Sequence, residues 1–206
     1  DAGDFQKHFT DDKRLFLEDP ARLRWRRPWF FEYSIGPSYY YSTNLKVGKT
    51  IGYSVSANIG QWMSSAIGLR AGINLTNAAW TKASETTSLL GKSGVSLDAM
   101  LNPFGFTRHY NWDSPVGLNL YGGYELGQLQ LVHTNINDKT SGRYAGYRLG
   151  AQFWAKITND LRLTFEPNYI LIEHFDRPDG RMKYSQTDFK LGLAVLFRNK
   201  LQRNYD

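Results

Sequence analysis

Side chains able to do acid, base or nucleophilic chemistry are few and scattered in this chain of 206 residues. Its four histidines are His8, His109, His133 and His174, and no two of them pair at a metal-ligand spacing. Glu173-His174, with Ser185 across the last connection, comes nearest to a constellation, because an acid, an imidazole and a hydroxyl can together activate a nucleophile. Neighbours on an extended strand point to opposite faces, however, so Glu173 is poorly placed to orient His174. The absence of Cys removes disulfides, thiolate metal sites, a Cys nucleophile and a Cys lipid anchor. Asp176-Arg177-Pro178-Asp179-Gly180 could hold a divalent cation between lipid headgroups, yet its Pro and Gly are the residues of an ordinary loop turn. The residues therefore assign no catalytic, cofactor or metal site, and the chain is expected not to be an enzyme.

The elements that must carry these residues are strands. From Trp29 onward apolar and polar residues alternate, broken by Gly, Asn, Asp, Ser and Pro clusters, in eight segments at roughly 29–41, 49–59, 65–75, 93–102, 115–127, 144–157, 161–173 and 185–197. Connections are short at 60–64 and 158–160, longer at 76–92, 130–143 and 174–184, with a brief 42–48 and an aromatic 103–114. No helical period intervenes, and no apolar run approaches the about 18 residues of a spanning helix. This is an up-and-down meander with a tight-turn side and a loop side.

One face of the segments is apolar, with Phe31, Tyr33, Ile35, Ile59, Leu69, Leu97, Leu118, Leu149, Leu163 and Leu191 among its members. Its charges, Lys49 and Glu173, lie at strand ends. The other face sets Glu32, Asp98, Glu125, Glu166 and Asp188 against Arg70, Arg148, Lys156, Arg162 and Lys190. A soluble carrier barrel with an apolar interior and a membrane barrel with an apolar exterior share this alternation. Glycine favours the second. Gly36, Gly52, Gly68, Gly72, Gly117, Gly123, Gly146, Gly150 and Gly192 fall on the polar face. Solvated strands would lose stability to them, whereas the narrow lumen of eight strands needs the room. The expected fold is an all-β, eight-stranded antiparallel up-and-down transmembrane β-barrel. Trp29, Trp62, Phe104, Phe106, Tyr110 and Trp112 are expected to form a girdle at the tight-turn ends, and Tyr39, Tyr40 and Tyr41 one at the loop ends. Pro37 and Pro167 each remove a ladder donor, so a bulge or local water is expected at both.

Equal numbers of acids and bases in a narrow lumen favour a salt-bridged plug over an ion path, which needs space and a charge bias. The expected network is Glu32, Arg70, Asp98, Glu125, Arg148, Arg162, Glu166 and Lys190. Residues 1–28 read as a polar N-terminal extension, 29–197 as the barrel and 198–206 as a short tail. Arg22, Arg24, Trp25, Arg26 and Arg27 in the extension suit contact with anionic lipid or a partner, or a solvated linker. The net charge of +6 is dispersed along the chain, which argues against nucleic acid as a partner. A start at Asp1, with no apolar leader following it, is what a processed or cropped chain would show.

Lys190-Leu191-Gly192-Leu193-Ala194-Val195-Leu196-Phe197 resembles the C-terminal β-signal of bacterial outer-membrane barrels, which implies recognition by the barrel-assembly machinery through Lys190, Gly192, Val195 and Phe197. Residues 29–197 as a whole resemble the small eight-stranded OmpA-type barrels, in a form similar to Bacteroidota proteins. The segments that carry this are Asn58-Ile59-Gly60-Gln61-Trp62 with Ile67-Gly68-Leu69-Arg70, Asp98-Ala99-Met100-Leu101-Asn102, and Glu166-Pro167-Asn168-Tyr169. The resemblance implies an outer-membrane location with both termini periplasmic, surrounded by lipid and lipopolysaccharide. The function expected is that of a non-catalytic structural or accessory subunit, bound to another envelope protein. The alternative is a lipid-modifying enzyme of the lipid A deacylase or acyltransferase type, since such enzymes of this barrel size have a similar arrangement of Ser or acid with a rim histidine, here His174 or His133.

Overall fold

The computed structural model describes residues 29–42, 50–81, 87–106, 114–133, 138–175 and 184–197. They form β1 (Trp29–Ser42), β2 (Thr50–Trp62), β3 (Ile67–Thr81), β4 (Thr87–Leu101), β5 (Val116–His133), β6 (Asp138–Lys156), β7 (Leu161–Phe175) and β8 (Tyr184–Phe197), with a 3-10 turn at Pro103–Phe106. Each strand pairs antiparallel with the next and β8 closes onto β1, so the sheet is a barrel without an edge strand. Closure and the period-two pattern then decide the faces. Leu97, Ile73 and Leu191 are 61%, 57% and 58% exposed, while Glu32, Asp98, Glu125 and Glu166 are fully buried. A sheet that turns its leucines outward and its carboxylates inward is built for an apolar solvent, in which every backbone polar group must be paired within the wall.

The strands run further toward the loop side than the hydrophobic alternation indicates. β3 continues to Thr81, β4 begins at Thr87, β5 continues to His133 and β6 begins at Asp138. The outward side chains described there, Asn77, Gln128, Gln130, Ser141 and Arg143, are polar, so the apolar belt ends before the strand pairing does.

The aromatic girdles differ from the expectation at two residues. Trp29, Phe104 and Phe106 are exposed at the tight-turn end, but Trp62 is buried in the lumen. Tyr41 is exposed at the loop end, but Tyr40 is buried. Period two is the cause, since each of the two has an outward neighbour beside it. Tyr110 and Trp112 lie outside the described residues. A second ring of exposed tyrosines, Tyr53, Tyr124, Tyr147 and Tyr169, runs around the belt near half-exposed Tyr39. From Trp29 to Tyr39 the chain climbs about ten residues, which at strand rise and barrel tilt is about 25 Å, the height of an apolar membrane band.

Neither proline produces a bulge. The β1–β8 register passes from Ile35↔Leu191 to Ser38↔Asp188 without a shift, losing only the pairs at Gly36 and Pro37. The β6–β7 register likewise passes from Gly150↔Asn168 to Phe153↔Phe165 across Glu166 and Pro167. A strand residue directs its N–H and C=O to the same neighbour, so each proline interrupts one ladder and spares the other. Pro37↔Tyr53 and Pro167↔Phe189 are intact on those other sides. The register shift that does occur lies between Ala145 and Gly146, opposite Glu173, which no residue of β6 faces.

Inward aromatics are paired with glycines across the ladders: Phe30↔Gly60, Trp62↔Gly68, Tyr121↔Gly150, Trp154↔Gly117 and Tyr144↔Gly127. A Cβ built on Gly150 would run into the Tyr121 ring, and one on Gly117 into the Trp154 ring. Each ring thus lies flat over bare backbone instead of blocking the narrow lumen beside another side chain.

Candidate functional site

The lumen is filled in three tiers. At the tight-turn end Phe30, Trp62, Met100, Tyr121 and Leu196 pack into an apolar plug. At the loop end Tyr40, Ala78, Leu129, Tyr144, Ile170 and Ile172 form another, with Tyr184 against it. The charges lie between.

Arg70 is the hub of the charged tier. Its Nε and Nη2 donate to Asp98 Oδ2 at 3.1 and 2.9 Å, and its Nη1 donates to Glu166 Oε2 at 2.9 Å. Glu32 Oε2 stands 3.6 Å from the same guanidinium. The guanidinium also stacks on the Tyr121 ring at 4.1 Å, while the Tyr121 hydroxyl donates to Glu166 at 2.5 Å. Gln152 Nε2 donates to Glu32 at 2.7 Å. A planar fork held by two carboxylates and a ring face is a site for Arg and not for Lys.

Arg148 is held less closely. It lies 3.2 Å from Glu125, 3.8 Å from Asp98 and 4.0 Å from Glu166, and none of its three guanidinium nitrogens makes a hydrogen bond. Glu125 is tied more firmly to Lys92, at 2.8 Å, and accepts from the Tyr144 hydroxyl at 2.5 Å. Near β1 and β2, Lys190 Nζ sits 3.6 Å from Asp188 and donates to Ser56 at 3.3 Å, and Asp188 accepts from Ser38 and Gln186. All eight strands contribute a side chain to this tier.

Two further bases are buried in the lumen. Arg162 is buried with its guanidinium over the Trp154 ring at 3.7 Å, near the tight-turn end. Lys92 is a buried base that sequence reasoning missed, because the strand was expected to begin at 93. The signal available was parity with Gly94, Ser96 and Asp98 on the inward face of β4. Lys156, the expected fifth base, is half-buried at the end of β6.

Along the backbone ladders the residues proposed for chemistry occupy separate positions. His133 stands opposite Asp138 and the backbone of His174 opposite Ala145, about seven residues apart along β6, or about 23 Å. Ser185 is opposite Leu171, three places short of His174 in the numbering. His8, His109, the 176–180 turn and Arg22, Arg24, Trp25, Arg26 and Arg27 lie outside the described residues. Among the described residues no three His, Asp or Glu side chains converge as metal ligands. Of the β-signal positions, Lys190 faces the lumen, Val195 and Phe197 face outward, and a Cβ on Gly192 would meet Ser34 and Thr164 on the flanking strands.

No protein-family model matches the chain, and comparison with curated proteins finds no match. Solved structures do match. Neisserial surface protein A superposes with a TM-score of 0.57 at 16% identity, over 82% of this chain and 97% of that one. A major outer membrane protein of Thermus thermophilus gives 0.55 at 12%, over 84% and 100%. The attachment invasion locus protein Ail of Yersinia pestis, in complex with the heparin analogue sucrose octasulfate, gives 0.53 at 11%, over 83% and 99%. At these identities the shared property is the fold, an eight-stranded β-barrel of the kind outer-membrane proteins use.

Proposed function

We propose that this protein is a non-conducting, non-catalytic barrel of the bacterial outer membrane that serves as a structural or accessory subunit of an envelope assembly. The supporting observation is the filled lumen: a charged tier tied to all eight strands, capped at each end by an apolar plug. Paired charges at this depth, with no excess of one sign among the buried groups Glu32, Asp98, Glu125, Glu166, Asp188, Arg70, Lys92, Arg148, Arg162 and Lys190, stiffen a wall and do not select ions.

In this reading phospholipid and lipopolysaccharide surround the belt, and both termini face the periplasm. β8 is the strand recognised by the barrel-assembly machinery. Residues 1–28 and 198–206 flank the barrel, and the Arg22–Arg27 cluster contacts lipid headgroups or the partner. A resemblance to the OmpA-type barrels of Bacteroidota fits the same picture. The test has two arms. Reconstituted into planar bilayers, the protein should give no steady conductance, and a persistent ion-selective current would end the plug reading. Gentle solubilisation of native membranes should yield a companion protein at fixed stoichiometry, and recovery of the barrel alone would remove the accessory role.

A further inference from the structure

We infer that the outer wall holds one acyl chain of a membrane phospholipid in a groove across β5–β8, on the tight-turn side; this rests on the reading of the chain as a membrane-spanning barrel. The groove runs between two rows of outward residues that the ladders set in register. One row is Val116, Ala155 and Leu163. The other includes Phe153, Phe165 and Leu191. Its floor is the wall at Gly117, Trp154 and Thr164, left open because Ala155 carries only a methyl group between larger neighbours. The cavity is about 640 Å³, within the range of sites for small ligands. Phe153 and Phe165 stack at 6.3 Å and 28°, giving it a flat, stiff side. Phe104 of the 3-10 turn closes the end nearest the membrane surface.

The occupant follows from where the groove opens. It is continuous with the apolar belt that meets acyl chains, so what enters arrives from within the bilayer, and the lining rewards a straight hydrocarbon chain. Ser114 also lines the groove, placing a hydroxyl at headgroup depth, where the polar end of a phospholipid lies.

Native mass spectrometry of the full chain, extracted from membranes in mild detergent, tests this. Wild type and A71F, altered on the distant β3 belt, should keep one phospholipid mass after the detergent is stripped, and A155F should lower that bound fraction at least tenfold. Equal retention in A155F, a bound lipid A mass instead of phospholipid, or a second copy of the chain in its place would overturn the inference. Should A155F not fold, A155C replaces it, since the chain has no other thiol. Its alkylation should accelerate on delipidation while that of A71C does not, and equal acceleration would overturn the assignment. Membrane partition of the folded protein is scored separately: a barrel that stays in the aqueous phase refutes the spanning reading itself, whereas one that partitions but retains no lipid refutes only the groove.

Discussion

Arg70 offers the sharpest test of how the lumen is held. Its side chain is fully buried, gives hydrogen bonds to Asp98 and Glu166, and stands 3.6 Å from Glu32. Arg70→Met keeps much of the length and removes the charge. Asp98 and Glu166 are then left with Arg148, 3.8 Å and 4.0 Å away. Breaking a buried pair from one side costs about 3–5 kcal/mol, chiefly because the partner charge is stranded. The substitution should lower the unfolding free energy by that amount, read by urea titration in phospholipid vesicles with tryptophan fluorescence. Adding Glu166→Gln should return part of the loss, with a coupling of about 0.5–3 kcal/mol, because one stranded charge disappears with its acceptor need. A loss below about 1 kcal/mol for the single variant, or strict additivity in the double, would refute the argument that these charges stabilise one another.

Arg148→Met should cost less than Arg70→Met by about 1–2 kcal/mol in the same titration, since no hydrogen bond goes with it. Leu97→Arg places a charge on the belt at a residue 61% exposed, and should cost about 2–4 kcal/mol in bilayers, where a soluble barrel would show almost nothing. Gly150→Leu drives a side chain into the Tyr121 ring and should cost about 1–3 kcal/mol, visible as loss of the heat-modifiable folded band on gels.

Much of the architecture is legible in the sequence because period two carries two messages at once. Leu69 and Arg70 are neighbours, one 44% exposed and the other 1%, and the glycines beside the charges say which face is crowded. What escapes reading has physical causes. Lys92 and the outer ends of β3–β6 lie beyond the apolar belt, where pairing no longer leaves a hydrophobic signature. Residue type alone assigns Trp62 and Tyr40 to the girdles, whereas parity turns them inward. The partners within the charged tier are illegible for a different reason. Arg70 meets Glu166 across the lumen, from β3 to β7, and that meeting depends on the barrel's diameter, which no local pattern encodes.

The two prolines bear on how the cylinder holds shut. One interrupted ladder lies on the far side of β7 and the other on the far side of β8. The last two staves are therefore fastened to the remainder by seams that each lack stitches at mid-height. Side-chain contacts make up the difference, Glu166 reaching across the lumen to Arg70 and on to Tyr121, and Asp188 taking the hydroxyl of Ser38 across the β1–β8 seam itself. Closing the wall and neutralising its interior therefore draw on the same two carboxylates, Glu166 and Asp188.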